Sequence, residues 1–151
     1  MALEDKATKD GYDVQMQTNH LSHFLLTKEV FPLLKNAAEK NGEARVCNHS
    51  SMARLGSALE DKYLEKNGGD LGGNGNSMFF MGARWKRYQQ TKLANSVFSS
   101  SLADRLDDSS GVKSVCAHPG IATTNLQVTT AQDGGMGSGK YFIDFNICIT
   151  S

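Results

Sequence analysis

RWKRYQQTKLANSVFSSSLADRLDDSSGVKSVCA, residues 84–117, is the stretch on which the fold turns. Leu93, Val97, Phe98, Leu102 and Leu106 recur at helical intervals, so residues 84 to about 106 are predicted as a helix burying that stripe. Asp107-Asp108-Ser109-Ser110-Gly111 closes the helix. The run from Val112 to Ala117 is apolar at intervals and of strand length, and it ends at His118-Pro119-Gly120.

Upstream, the pattern repeats. Val14, Met16, Leu21, Phe24, Leu25, Val30, Phe31 and Leu34 predict a long helix from Tyr12 to about Glu39, with Pro32 as an expected irregularity and Asn41-Gly42 as its stop. Ala44 to Ser50 then reads as a strand. Residues 66–77 are rich in glycine and asparagine and are expected to form a flexible insertion. The order helix, strand, insertion, helix, strand implies a single α/β domain over residues 1–151 with parallel strands. Ligands in such sheets bind beyond the carboxyl ends of the strands. Ser50 and Ser51 fall at one such end, His118-Pro119-Gly120 at another, and the second helix begins at the same rim.

At that rim Tyr88 and Lys92 stand four residues apart, on one helix face. A free phenol titrates near pH 10, and lowering it by ~2–3 units takes roughly 3–4 kcal/mol. A lysine ammonium ~4 Å away, at an effective dielectric of ~20, supplies roughly 4 kcal/mol. The pair is therefore expected to act as an acid/base unit near neutral pH. As an isolated spacing it equally describes a surface aromatic beside a solvated lysine.

Composition narrows the classes. The chain has 151 residues, 39% hydrophobic and 21% charged, with 16 basic against 16 acidic side chains. That balance gives no reason to expect a nucleic-acid partner. No apolar run reaches the ~18 residues of a membrane span, so no membrane segment is expected. The charged N-terminus does not read as a secretory signal. Three well-separated cysteines, with Cys47 and Cys116 expected as buried thiols, suggest an intracellular setting, cytoplasmic or organellar. Gly134 to Lys140 fits a phosphate-loop pattern, but Tyr141 follows where Ser or Thr would be needed and no strand precedes. His20 and His23 share a helix face without a third ligand, so no metal site is expected. Ser51 lacks the Gly-x-Ser-x-Gly setting of a hydrolase nucleophile.

Taken in order, four segments resemble the short-chain dehydrogenase/reductase family over roughly residues 11–130. Gln17 to Thr27 is similar to the helix carrying the family's active-site asparagine. Val46 to Ser51 resembles the strand ending in its catalytic serine, and Tyr88 to Asn95 its Tyr-x-x-x-Ser/Thr-Lys-Leu-Ala-Asn helix, with Thr91 at the Ser/Thr place. His118 to Thr124 resembles the Pro-Gly segment and threonine that cover the nicotinamide. Trp85 also resembles the retinol-dehydrogenase and light-dependent protochlorophyllide-reductase branch.

The resemblance implies the later half of a Rossmann-like, doubly wound parallel sheet and hydride transfer between NADP or NAD and a small alcohol or carbonyl substrate. It implies Tyr88 as proton donor or acceptor, and Lys92 as the group that lowers the Tyr88 pKa and holds the nicotinamide ribose. Ser51 is implied as the hydrogen bond to the substrate oxygen, and Asn19 as a support of Lys92 through water. Pro119, Gly120 and Thr124 are implied as cofactor contacts beside Tyr88 and Lys92. A homodimer through the two long helices is a further expectation from the family.

The 151 residues hold no Gly-rich strand–turn–helix for the cofactor pyrophosphate. The stretch between Ser51 and Tyr88 is longer than the family usually has, and residues 139–151 match nothing in it. The chain is thus expected to be a piece of the domain, inactive alone. The alternative is a non-catalytic remnant that serves as a protein-interaction module.

Overall fold

The computed structural model describes residues 1–73, 81–118, 120 and 146–148. Helix α1 (Val14–Met16) runs through a π-helical stretch, Gln17–Leu21, into α2 (Ser22–Asn41). Asp13 starts it by accepting the Met16 amide at 2.9 Å. In the π stretch the Ser22 amide reaches back to the Gln17 carbonyl, and short stretches of this kind recur at functional sites. The helix continues through Pro32 and ends where Gly42 turns left-handed at φ 84° and returns its amide to Ala38 at 2.7 Å.

Strand β1 (Ala44–His49) lies parallel to β2 (Val112–His118), in register from Ala44 opposite Val112 to His49 opposite Ala117. Gly111 fixes that register. Its carbonyl accepts the Ala44 amide at 3.0 Å. A Cβ there would meet Ala38 at 3.1 Å, so only glycine lets α2 sit against the start of β2. Between the two strands runs α3 (Ala83–Ala103). A third strand, β3 (Asn146–Cys148), adds to β2 antiparallel, giving the order β1-β2-β3. The α/β class and the parallel β1–β2 pair agree with the sequence expectation; the antiparallel partner was not foreseen. The long Tyr12–Glu39 helix and the residue 84–106 helix are present with ends shifted by a few residues.

The buried face of α3 departs from its apolar stripe. Trp85, Arg87, Gln90, Thr91, Lys92, Ala94, Asn95 and Ser99 are buried, while Val97 is exposed and Phe98 and Leu102 are half-buried. Small and hydrogen-bonding side chains let α3 lie close on the sheet. Asn48 donates to Ser99 at 2.8 Å, and Ser50 donates to the Lys92 carbonyl at 2.8 Å. Phe98 and Leu102 of the apolar stripe instead face Phe24 and Phe31 of α2 across an open groove of about 580 Å³.

Met16, Tyr63 and Ala94 form the core, with Leu21, Leu59, Leu64 and Leu71 packed against it. The Gly/Asn-rich stretch begins with tethered backbone, since the Asn67 and Gly68 amides both donate to the Gly11 carbonyl at 3.0 Å. Residues 74–77 of the expected insertion and nearly all of 139–151 lie outside the described residues. Cys116 is buried as expected, but Cys47 is exposed. It alternates onto the exposed face of β1 shared with Arg45 and His49.

Candidate active site

The carboxyl ends of β1 and β2, the first turns of α3 and the π stretch meet at one place. β1 ends at His49, and Ser50 bonds its backbone amide to the Ala117 carbonyl at 2.9 Å. The buried Ser50 hydroxyl ties the strand end to α3 through the Lys92 carbonyl and Ser96. The next residue, Ser51, caps a 3-10 turn (Met52–Gly56), accepting the Ala53 amide at 3.2 Å. Its side chain also hydrogen-bonds the Tyr88 phenol. Trp85 meets the Tyr88 ring edge to face at 5.9 Å and holds its plane.

Lys92 is buried. Its ammonium donates to the His49 carbonyl at 3.3 Å, approaches His49 Nδ1 at 3.5 Å and sits 5.7 Å from the centre of the Tyr88 ring. Burial pushes the Lys92 pKa down from its ordinary value, partly offset by Cys116. The sequence predicts a lowered Tyr88 pKa; the structure moves it the other way. Burial of the phenol disfavours phenolate and outweighs the Ser51 hydrogen bond, so the Tyr88 pKa is raised. Two of the donor directions of Lys92 are taken by His49, and the ammonium lies over the ring.

Asn19, in the π stretch, donates its side-chain amide to Thr91 Oγ1 at 3.2 Å, and Thr91 in turn donates to the Tyr88 carbonyl at 2.8 Å. The Asn19 carbonyl accepts Asn95 Nδ2 at 3.1 Å. Asn95 is the hub that the residue pattern did not reveal. Its Nδ2 also donates to the His49 carbonyl at 3.0 Å, the same oxygen that Lys92 uses. With Nδ2 facing two carbonyls, Oδ1 must accept, so His20 donates through Nδ1 at 2.9 Å. Sequence places Asn95 three residues after Lys92 on one helix face, but nothing in sequence links it to His20, which lies 75 residues away.

Of the residues expected at the site, Tyr88, Lys92 and Ser51 come together, and Asn19 joins them through Thr91 and Asn95. Gly120 follows β2 with φ 74°, a value that suits glycine. Pro119 and Thr124 lie outside the described residues. His20 is buried against Asn95, whereas exposed His23 turns to the Asn19 carbonyl at 3.1 Å. No group of three or more His, Cys, Asp or Glu is placed to hold a metal among the described residues.

This fold and site define a class. The chain belongs to the short-chain dehydrogenase/reductase family. Relatives include an uncharacterized oxidoreductase of Schizosaccharomyces pombe, 37% identical over 79% of this chain and 33% of its own length. The chloroplastic short-chain dehydrogenase TIC 32 A of Brassica napus is 32% identical over 79% of this chain and 35% of its own. Retinol dehydrogenase 14 of Mus musculus is 37% identical over 79% and 30%. The chain thus spans about a third of the length of the curated relatives it matches. No family model matches it.

Proposed function

We propose that Tyr88, Lys92, Ser51 and Asn19 form the proton-transfer part of an NAD(P)-dependent oxidoreductase site for an alcohol or carbonyl substrate. The observation that carries this reading is the phenol of Tyr88, hydrogen-bonded to Ser51 and faced by the buried Lys92 ammonium. Lys92 forms no ion pair with a carboxylate among the described residues. A buried cation with a donor to spare suits the hydroxyls of a nicotinamide ribose, and the residues present therefore fit such a cofactor. When bound, NADP or NAD supplies or accepts the hydride.

The chain's own residues handle the proton. Burial keeps Tyr88 protonated, which favours its donating the hydroxyl proton to a carbonyl oxygen. Ser51 holds that oxygen, and Lys92 meets the charge left on the phenolate. Asn19 acts through Thr91 and Asn95 as a positioning residue. Pro119, Gly120 and Thr124 would lie against the cofactor.

The test needs these residues within a chain of the relatives' length. There Tyr88→Phe should cut kcat at least ~10²-fold, the usual worth of a positioned acid/base. Lys92→Ala should do the same and weaken cofactor binding. Near-normal turnover by Tyr88→Phe would sink the assignment. No described helix is long and apolar enough to cross a membrane; an intracellular enzyme is the matching proposal. The α2–α3 groove, with Phe24 exposed beside Phe98, favours a second reading as an interaction surface, a homodimer through the two helices. Light scattering on wild type and Phe98→Glu decides it, and a monomer in both would remove that reading.

A further inference from the structure

His20, His23 and His49 share one hydrogen-bond network. His20 and His49 are linked through Asn95 and the His49 oxygen, and His23 bonds the Asn19 carbonyl that Asn95 also uses. His118, buried at the end of β2, acts electrostatically on His49. The His49 ring is the member that touches Lys92. An ammonium can only donate, so the 3.5 Å contact from Nζ is a hydrogen bond in the tautomer that leaves His49 Nδ1 unprotonated. A protonated ring would set a second cation there.

We propose that His49 is a positioning residue for Lys92, holding the ammonium through Nδ1 when the ring is neutral and releasing it from the His49 carbonyl when the ring is charged. The groups around the pair work in one direction. Lys92 on α3, His118 on β2 and His23 on α2, all bases, act electrostatically on His49. The Met1 amine acts on Lys92 as another cation, and Cys116 and Tyr88 are the remaining titratable neighbours. Partial burial and these neighbours hold the His49 pKa below its ordinary value, so the ring is neutral at pH 7 and charges only in acid. The consequence for catalysis rests on the oxidoreductase reading, with the grip on cofactor hydroxyls loosening in acid. The contact itself does not.

Carbon-detected NMR of the lysine Cε resonances tests the contact without turnover, with Lys92 assigned by comparison with Lys92→Arg. In wild type the Lys92 Cε shift should inflect with the same midpoint as the His49 ring, below about 6.5. In His49→Asn, whose Oδ1 replaces the acceptor without a titrating charge, the shift should stay flat at its high-pH wild-type position. In His49→Leu it should be flat but displaced. An inflection that survives in His49→Asn belongs to Met1, His118 or His23 and overturns the proposal. So does a wild-type Lys92 shift that is flat, or whose midpoint differs from that of His49; these two need no His49 variant to fold. None of these outcomes bears on Tyr88→Phe turnover, so the two readings fail separately.

Discussion

Replacing Asn95 by alanine removes three hydrogen bonds from the centre of the site, to His20 at 2.9 Å, Asn19 at 3.1 Å and His49 at 3.0 Å. The partners do not lose equally. The Asn19 carbonyl keeps His23 and the His49 carbonyl keeps Lys92, so each forfeits one bond of about 0.5–1.5 kcal/mol. Buried His20 forfeits the Nδ1 partner that Asn95 provides, a desolvation cost of about 1–3 kcal/mol. The expected loss is about 2–6 kcal/mol, a large share of the ~5–15 kcal/mol of a domain. At about 2–4 °C per kcal/mol, Tm should fall by about 4–24 °C. Trp85 is the single tryptophan and is buried beside Tyr88, so its fluorescence in a urea titration reads the transition. A double-mutant cycle with His20→Ala should return a coupling of at least ~1 kcal/mol. A loss under ~0.5 kcal/mol, or additive effects, would refute Asn95 as the hub.

The other expectations are simpler to state. Gly73 sits at φ 76°, and a Cβ there would fall 2.1 Å from the Ala83 side chain at the start of α3, whereas Gly72 at φ 70° has open space; Gly73→Ala should cost about 1–3 kcal/mol more than Gly72→Ala in urea unfolding, and equal costs would contradict the packing. Burial chiefly lowers the His20 pKa, so the unfolded chain takes up the proton first as pH falls. The stability tied to His20 is present above about pH 6.5 and is lost on acidifying through that value towards its folded pKa; His20→Gln should flatten the urea midpoint between pH 7.5 and 5, and an unchanged slope would remove His20 as the cause. Titrated with NADPH, the 151-residue chain should bind no tighter than about millimolar, because in the proposed site only the nicotinamide end would meet Ser51, Tyr88 and Lys92; micromolar binding by cofactor fluorescence would show a pyrophosphate site within these residues.

Local pattern determined much of this protein. Period and punctuation in residues 12–50 and 84–117 are enough for two long helices, two strands and their alternation, because amphipathic spacing and Gly/Asx stops act within a turn or two of the chain. The Tyr88–Lys92 spacing and Ser51 at a strand end were likewise legible, and so was the family. What only the tertiary structure decided depends on neighbours distant in sequence. The buried face of α3 is set by close approach to β1 and β2, so Ala94 and Ser99 go inward and Val97 outward, against the apolar stripe. The antiparallel β3 depends on a pairing between residues 116–118 and 146–148. Asn95 becomes a hub because the π stretch brings His20 and the Asn19 carbonyl to it across more than 70 residues. The direction of the Tyr88 shift could not be had from spacing at all. A lysine four residues away argues for a lower pKa; burial of the phenol, a property of the whole packed site, argues for a higher one and prevails.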